Sequence, residues 1–585
     1  MSELARRLEK IDFLQAAGTW TTHLLCEIGN HENDLALTPE AVRERWQRFL
    51  RGRPSADAEA LRHRARLRRL YLYVHVPFCY RKCHFCAYHV DEGVSRDKTN
   101  AYVEALLESV RWYAAAFRGH AFRGLYIGGG TPSSLSEEQL QRVLGAIRGA
   151  FAFSRPRNLA IELNPASTTP RKLDVVAAAG IRRVSFGVQS FERDVLNEEN
   201  RTWHSPSRVR DLVAHARGLG LATNVDLIYG LKGDELETFE KSLDDVLSFR
   251  PDQVSLYNFR APSLERFDAA AEEQQAKRRL KDEPVIAAAV RRSGYLAMSC
   301  PDGALLRLPS VRSWLRSRHY EYPQQVHTSD DSVLGLGDGA DSRIWGELAY
   351  REHSAGKRFD GAGVRYRGTA QSPCDEMRRF VLYTLQSGRR VWLPEFRARY
   401  GQELMDVFGA AVRGAVELGA GRLGRLSFAL DATDARLRAR AARLFCSDGF
   451  IDRWFERVKA QRAEGGKSRG RLPQEQRSFG GAAVREADQY YHGAAERILV
   501  VTRSEHRFSL HGPGAPKRAA VGDVGISVMG EGGAGDADAE LARLVEVVKA
   551  VTPAPTLAAV FGGLVASEEL QRMSCCVMYW PDAPG

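Results

Sequence analysis

Cysteine is scarce in this chain: there are nine in 585 residues, and six of them, Cys26, Cys300, Cys374, Cys446, Cys575 and Cys576, are scattered apart from the last pair. So thin a supply excludes a disulfide framework over such a length, and reduced thiols are expected. Long apolar runs are missing as well. No stretch reaches the roughly eighteen consecutive apolar residues of a membrane-spanning helix, and the opening MSELARRLEKIDFLQAAG carries acidic residues and no apolar core. Neither a membrane partner nor a secretory signal is expected, which leaves the cytoplasm. Acidic charge falls short of basic charge, 73 residues against 84, giving a net charge of +11. The excess arginine is spread over helical stretches, with one dense run, RHRARLRR, at residues 62–69. A solvated helix face accounts for that run more simply than a nucleic-acid site, and a nucleic-acid partner is not expected. What is present, 44% hydrophobic and 27% charged residues, is the composition of a folded globular chain long enough for more than one domain.

From about residue 71 one pattern recurs: a short apolar run, a turn rich in Gly, Pro, Asn or Asp, then a longer amphipathic stretch. The strands expected are LYVHV (72–76), GLYIG (124–128), LAIEL (159–163), RRVSFG (182–187), ATNVDLIYG (222–230) and QVSLY (253–257). Right-handed crossovers make such strands parallel, so the fold class expected is α/β, a partial or full parallel (β/α) barrel with its chemistry at the C-terminal strand ends. The barrel is expected over residues 71–365, after an N-terminal helical extension at 1–70. A helical or winged-helix-like module at 366–460 follows, then a Gly- and Arg-rich linker at 461–487 and an additional small α+β segment of unassigned role at 488–585.

The remaining three cysteines stand together in CYRKCHFC, as Cys79, Cys83 and Cys86, just past an apolar strand. Thiolates at i, i+4 and i+7 on a loop leaving a strand can converge on a metal centre. Structural zinc prefers four ligands, commonly in two separated pairs, and His84 or His75 would have to complete the set. A disulfide with one spare thiol conflicts with a reducing compartment. An iron-sulfur cluster is normally held by four thiolates, so three leave one iron open to a small ligand that can take an electron from it.

CxxxCxxC with an aromatic residue just before the third cysteine resembles the radical S-adenosylmethionine (SAM) superfamily, and YVHVPFCYRKCHFC is similar to its HemN-like branch. That branch contains oxygen-independent coproporphyrinogen III oxidase, the haem chaperone HemW, and a class of methyltransferases and cyclopropanases. GGGTPSSL (128–135), IELNP (161–165), RVSFGVQSF (183–191), NVDLIYGL (224–231) and VLGLGDGADS (333–342) follow in the family's order. The resemblance implies that Cys79, Cys83 and Cys86 bind a 4Fe-4S cluster, whose open iron takes SAM. It implies that Gly129, Gly130 and Thr131 meet the methionine part of SAM, that Glu162 holds its ammonium group, and that Gln189, Arg201 and Asp226 surround one SAM molecule or two. Tyr73, Phe85 and Ala87 would line the cluster and the adenine. His75 reads as a packed barrel histidine.

Two departures shape the reaction expected. The oxidase pattern has a further cysteine two places after the third, where this chain has Tyr88, and its late Asn-Phe-Gln-Gly stretch has no counterpart. The chaperone's His-Asn-x-x-Tyr-Trp motif is reduced here to HYEYPQQVH, which keeps His319 and has Tyr322 but lacks the Asn and the Trp. The function expected is therefore radical SAM chemistry directed to methylation or C–C bond formation on an unsaturated substrate. The alternatives are a coproporphyrinogen oxidase-like oxidoreductase of porphyrin metabolism and a haem-binding chaperone. The partners implied are a small-molecule substrate, anionic or carrier-bound, and an electron donor such as flavodoxin or ferredoxin. Cys575 and Cys576 read as ordinary thiols before an auxiliary metal site, since no third ligand lies nearby in sequence.

Overall fold

The computed structural model describes residues 3–16, 35–51, 70–86, 88–154, 158–259, parts of 282–300, 303–307, 332–353, 365–386, 390–430 and 435–463, and four strands within 497–579. The parallel core follows the βα alternation of the sequence: β1 (Leu70–Val76), α1 (Arg96–Ala114), β2 (Gly124–Gly129), α2 (Glu137–Ala150), β3 (Leu159–Leu163), α3 (Pro170–Ala178), β4 (Arg183–Gln189), α4 (Pro206–Gly218), β5 (Ala222–Tyr229), α5 (Leu236–Ser248) and β6 (Gln253–Asn258). Helix starts are written locally. Ser95, Thr169 and Ser205 each cap the helix that follows with a side-chain oxygen, and Ser136 and Gln139 form a reciprocal capping box on α2.

The strands β1 to β6 pair in parallel in chain order. Further along the chain come β7 (Leu296–Cys300), β8 (Gly303–Arg307), β9 (Ser332–Leu336), β10 (Asp341–Ile344), β11 (Leu348–His353) and β12 (Arg365–Ala370). Strand β9 returns to lie parallel to the free side of β1. The sheet is then extended antiparallel at both edges, by β10, β11, β12 and Leu35–Leu37 beyond β9, and by β8 and β7 beyond β6. Among the described residues its thirteen strands run from one edge to the other without closing, so the barrel is partial. Antiparallel edges were not expected from the sequence.

Alternation along each strand separates two faces. Leu72, Val74, Val76, Leu125, Ile127, Ile161, Val184, Phe186 and Val225 turn to one face and form the large core with the helices. The opposite face carries Tyr73, His75, Tyr126, Glu162, Ser185, Asn224 and Asp226. A near-continuous apolar strand is usual in a sheet covered on both sides, so polar residues at every second position mark the face toward which the chemistry points.

A second core joins the helices Pro373–Gln386, Leu393–Tyr400, Leu404–Glu417 and Asp448–Ala463 to a small three-stranded sheet. The helix Glu3–Ala16 belongs to this core through Ile11 and Leu14, far in sequence from the elements it packs against. Strands 517–521, 524–530, 497–503 and 575–579 form a separate four-stranded sheet in that order. Cys575 and Cys576 pair there with Arg497 and Ile498 through the backbone, and their side chains lie outside the described residues. No described helix is long and apolar enough to cross a membrane.

Candidate functional site

The C-terminal ends of β1, β2, β4 and β9 lie side by side through their parallel pairing or that of their neighbours, and the cysteine loop leaves β1 at that end. Cys79, Cys83 and Cys86 are in no disulfide, and all three are half-buried. The loop is fixed from outside itself. The amide of His84 donates to the Glu199 carbonyl (2.9 Å), Nδ1 of His84 is hydrogen-bonded to the Glu198 carbonyl (2.8 Å), and Nδ2 of Asn200 donates to the Lys82 carbonyl (3.0 Å). His84 is thereby turned toward the 198–200 turn and not into the trio.

Burial, together with the neighbouring Cys86 and Cys83 thiols, pushes the Cys79 thiol up to about 12, against a hydrogen bond from Thr131 that lowers it. A thiol so placed becomes a thiolate when a cation compensates it, which is the demand an iron site meets. Among the described residues no three His, Cys, Asp or Glu side chains are drawn onto one point that would hold a single ion. Thiolates of a cluster each take a different iron and stand further apart.

The glycine turn packs against this loop. Gly129 has φ +107°, and a Cβ there would come within 2.9 Å of the His75 imidazole; at Gly130 it would meet the Pro77 and Phe78 backbone at 2.8 Å. These glycines are required first because they let the end of β2 touch the start of the cysteine loop. Thr131, which follows, places its hydroxyl 3.4 Å from the Cys79 sulfur. His75 is buried, hydrogen-bonded through Nδ1 to the Tyr73 hydroxyl (2.8 Å) and through Nε2 to the His89 carbonyl (3.0 Å). Burial holds it well down, near 3, so it stays neutral. It is a packed histidine, as expected.

Two polar side chains at the rim point at something the protein does not supply. Gln189 ends β4 with φ +72°, next to a register shift between β4 and β5, and its buried Oε1 has no hydrogen-bond partner. Arg201 donates through Nη2 to the Gly187 carbonyl, lies 3.5 Å from the Cys83 sulfur through Nη1, and stands over the Phe85 ring at 6.0 Å. Its buried Nε is likewise unpartnered. A buried donor and a buried acceptor left open cost about 1–3 kcal/mol each, and a polar ligand carrying both kinds of group, such as an amino acid moiety, would satisfy them. By donor set and by open polar atoms, these residues fit a cluster with SAM beside it.

The other expected residues are distributed around the same end. Glu162 accepts from the Tyr126 hydroxyl on the inner face, and Tyr126 stacks on Tyr73 with ring centroids 6.4 Å apart. Asp226, opposite Gly187 in register, accepts from Ser185 (2.9 Å) and Asn224 (2.7 Å), a network continued by Ser255 to Asn224 (3.0 Å). Phe85 packs on Val195, Ile228, Leu231 and Tyr257. Ala87 lies outside the described residues.

Sequence reasoning did not single out Tyr126, Asn200, His89 or Asp338. His89 is 3.2 Å from the Asp338 carboxylate, with its ring over Gly339. Only the two-residue alternation that puts Tyr126 on the same face as Gly128 offered a signal; the other three are placed by loops.

A family model described as the radical SAM superfamily matches residues 73–246. Oxygen-independent coproporphyrinogen III oxidase from Escherichia coli K12 is 29% identical over 357 residues, covering 58% of this chain and 77% of that protein. Heme chaperone HemW from Bacillus subtilis is 26% identical over 362 residues, covering 59% and 91%. The solved structure of the E. coli coproporphyrinogen III oxidase superposes with a TM-score of 0.54 at 25% identity, covering 67% of this chain and 93% of that one.

Proposed function

Because this chain belongs to the radical SAM superfamily, in its HemN-like branch, we propose that it is a SAM-cleaving oxidoreductase acting on a porphyrinogen-like tetrapyrrole. The family implies a 4Fe-4S cluster and SAM. When bound, the cluster supplies the electron that cleaves SAM to methionine and a 5'-deoxyadenosyl radical. Cys79, Cys83 and Cys86 would hold the cluster. Arg201 Nε and Gln189 Oε1 would bind the polar groups of SAM, and Glu162, kept in place by Tyr126, would take its ammonium. Gly129 and Gly130 hold Thr131 against Cys79, and Tyr73 and Phe85 supply apolar walls that keep water from a reactive centre.

The observation that carries the SAM reading is the pair of open buried atoms, one donor and one acceptor, beside the three thiols. The substrate class draws on different support. The chain spans 77% of the oxidase's length and 93% of its solved structure, which favours oxidation of a porphyrinogen over the methylation or C–C bond formation expected from the departures at Tyr88 and beyond. Coverage of 91% of HemW favours haem binding as the second reading.

The test is anaerobic incubation of the iron-loaded protein with SAM, dithionite and coproporphyrinogen III. The proposal expects 5'-deoxyadenosine formed in step with a decarboxylated product. S-adenosylhomocysteine appearing together with 5'-deoxyadenosine on an unsaturated substrate would return the assignment to methylation with a second SAM. A stably retained haem with no substrate conversion would favour the chaperone reading.

A further inference from the structure

The cysteine loop has an outer face. Between Cys79 and Cys83 the chain runs Tyr80-Arg81-Lys82, and Tyr80, 59% exposed, is the most exposed large hydrophobic side chain among the described residues. Arg81 is exposed and Lys82 half-buried, and among the described residues neither side chain has a carboxylate or hydrogen-bond partner. Two lysines on neighbouring segments, by contrast, are paired: Lys98 with Asp91 (3.0 Å) and Lys232 with Glu198 (2.6 Å). The loop thus presents two uncompensated positive charges around one aromatic.

A single exposed aromatic on a solvated loop needs no explanation. Here the backbone beneath it is held, by Asn200 to the Lys82 carbonyl, by Glu199 to the His84 amide and by the Gly93 amide to the Cys79 carbonyl (3.2 Å). The side chains of residues 80–82 therefore project from a fixed frame, which lowers the ordering cost of an interface. Tyr and Arg are the residues that concentrate binding energy in such interfaces. Their position, in the segment that runs between two of the proposed cluster ligands, gives the surface a use, because each SAM cleaved consumes one electron.

We propose that Tyr80, Arg81 and Lys82 form the docking face for an acidic one-electron carrier protein. The inference rests on the SAM-cleaving reading above. The transfer is an outer-sphere step: the carrier is oxidised by one electron and the cluster reduced by one, with no bond or proton exchanged. Two free cations and one aromatic suit a compact acidic patch, whereas a nucleic acid would call for a longer basic track.

The test uses the full-length, iron-loaded protein with a flavodoxin as the acidic carrier, its binding followed by flavin fluorescence. Binding to the unaltered protein is expected to weaken as salt rises from about 50 to about 300 mM, and Arg81→Glu with Lys82→Glu to weaken it by about tenfold or more. Flavodoxin-driven SAM cleavage falls in that variant, while dithionite-driven cleavage stays within about twofold, since a small reductant needs no docking face. Tyr80→Ser weakens binding without changing charge. Flavodoxin affinity unchanged by the charge reversals would overturn the proposal. Should those variants fail to load iron, salt-insensitive binding to the unaltered protein would overturn it. No dithionite-driven cleavage by the unaltered protein would remove the SAM reading, and this inference with it.

Discussion

Gln189 sits where a non-glycine residue is strained, at φ +72°, and its buried carbonyl oxygen is open. Left-handed backbone costs a residue with a Cβ roughly 1–2 kcal/mol, and such strain gathers at functional sites. Gln189→Gly is therefore expected to leave the melting temperature unchanged or higher while weakening SAM binding about tenfold, the effect of one lost buried hydrogen bond. Calorimetric titration with SAM and a thermal melt separate the two effects. His204 gives a residue-scale pH dependence. Burial first, then Arg201, holds it near 3 in the folded chain, against about 6.5 unfolded. Below pH 6.5 the unfolded chain takes up a proton that the folded one refuses, so stability falls as pH drops toward 3. At pH 5 the loss from this one group is about 2 kcal/mol. His204→Phe, beside Phe191, is expected to lessen the shift in urea midpoint between pH 7 and pH 5. At this scale the sequence revealed the thiols, through their spacing, and the rim residues, through family resemblance. The strain at Gln189 and the burial of His204 depend on tertiary neighbours that no local pattern encodes.

Among the elements, β1 to β6 were readable because each is a short apolar run closed by a turn; the observed bounds of β3 match those expected, and those of the other five differ by at most two residues at either end. Strand β9 was not read as a strand. Its SVLGL is short and interrupted by a glycine, and it joins β1 from some 260 residues downstream. The antiparallel edges were missed because the βα period stops at β6. Element packing also ties the glycine turn to the end of β3. Lys172, in the first turn of α3, donates through Nζ to the Ser133 carbonyl (2.7 Å) and the Ser167 carbonyl (2.9 Å), while the Ser133 and Ser167 hydroxyls are 2.8 Å apart. Burial lowers the Lys172 pKa. Lys172→Met is expected to cost about 2 kcal/mol for the charged hydrogen bonds lost, and to raise KM for SAM more than it lowers kcat, at unchanged iron content.

In the whole molecule two cores are joined by a buried ion cluster. Glu376, on the first helix of the second core, accepts from Arg343 of β10 (2.9 Å) and from Arg379, and Arg379 also donates to Gln371 (2.7 Å); all three charged side chains are buried. Removing Glu376 takes the shared carboxylate from two buried cations, so Glu376→Ala is expected to cost about 3–5 kcal/mol. Arg440 reaches Asp12 at 2.6 Å through two nitrogens, but this pair is partly exposed, and Arg440→Ala is expected to cost under about 1 kcal/mol. Urea denaturation of the two variants measures the contrast. That the helix Glu3–Ala16 belongs with the distant second core was not legible, because its amphipathic pattern states that one face is buried and not what buries it.

The central claim is that three thiols hold a cluster, and an open donor–acceptor pair beside them holds the SAM that the cluster cleaves. The most direct measurement is 5'-deoxyadenosine formed from SAM by the reconstituted, dithionite-reduced protein, beside its Cys83→Ala variant. The unaltered protein should hold about four iron per chain, as this cluster type requires, and form 5'-deoxyadenosine, while the variant forms almost none. Full SAM cleavage by Cys83→Ala, or an iron-loaded unaltered protein that leaves SAM intact, would contradict the account.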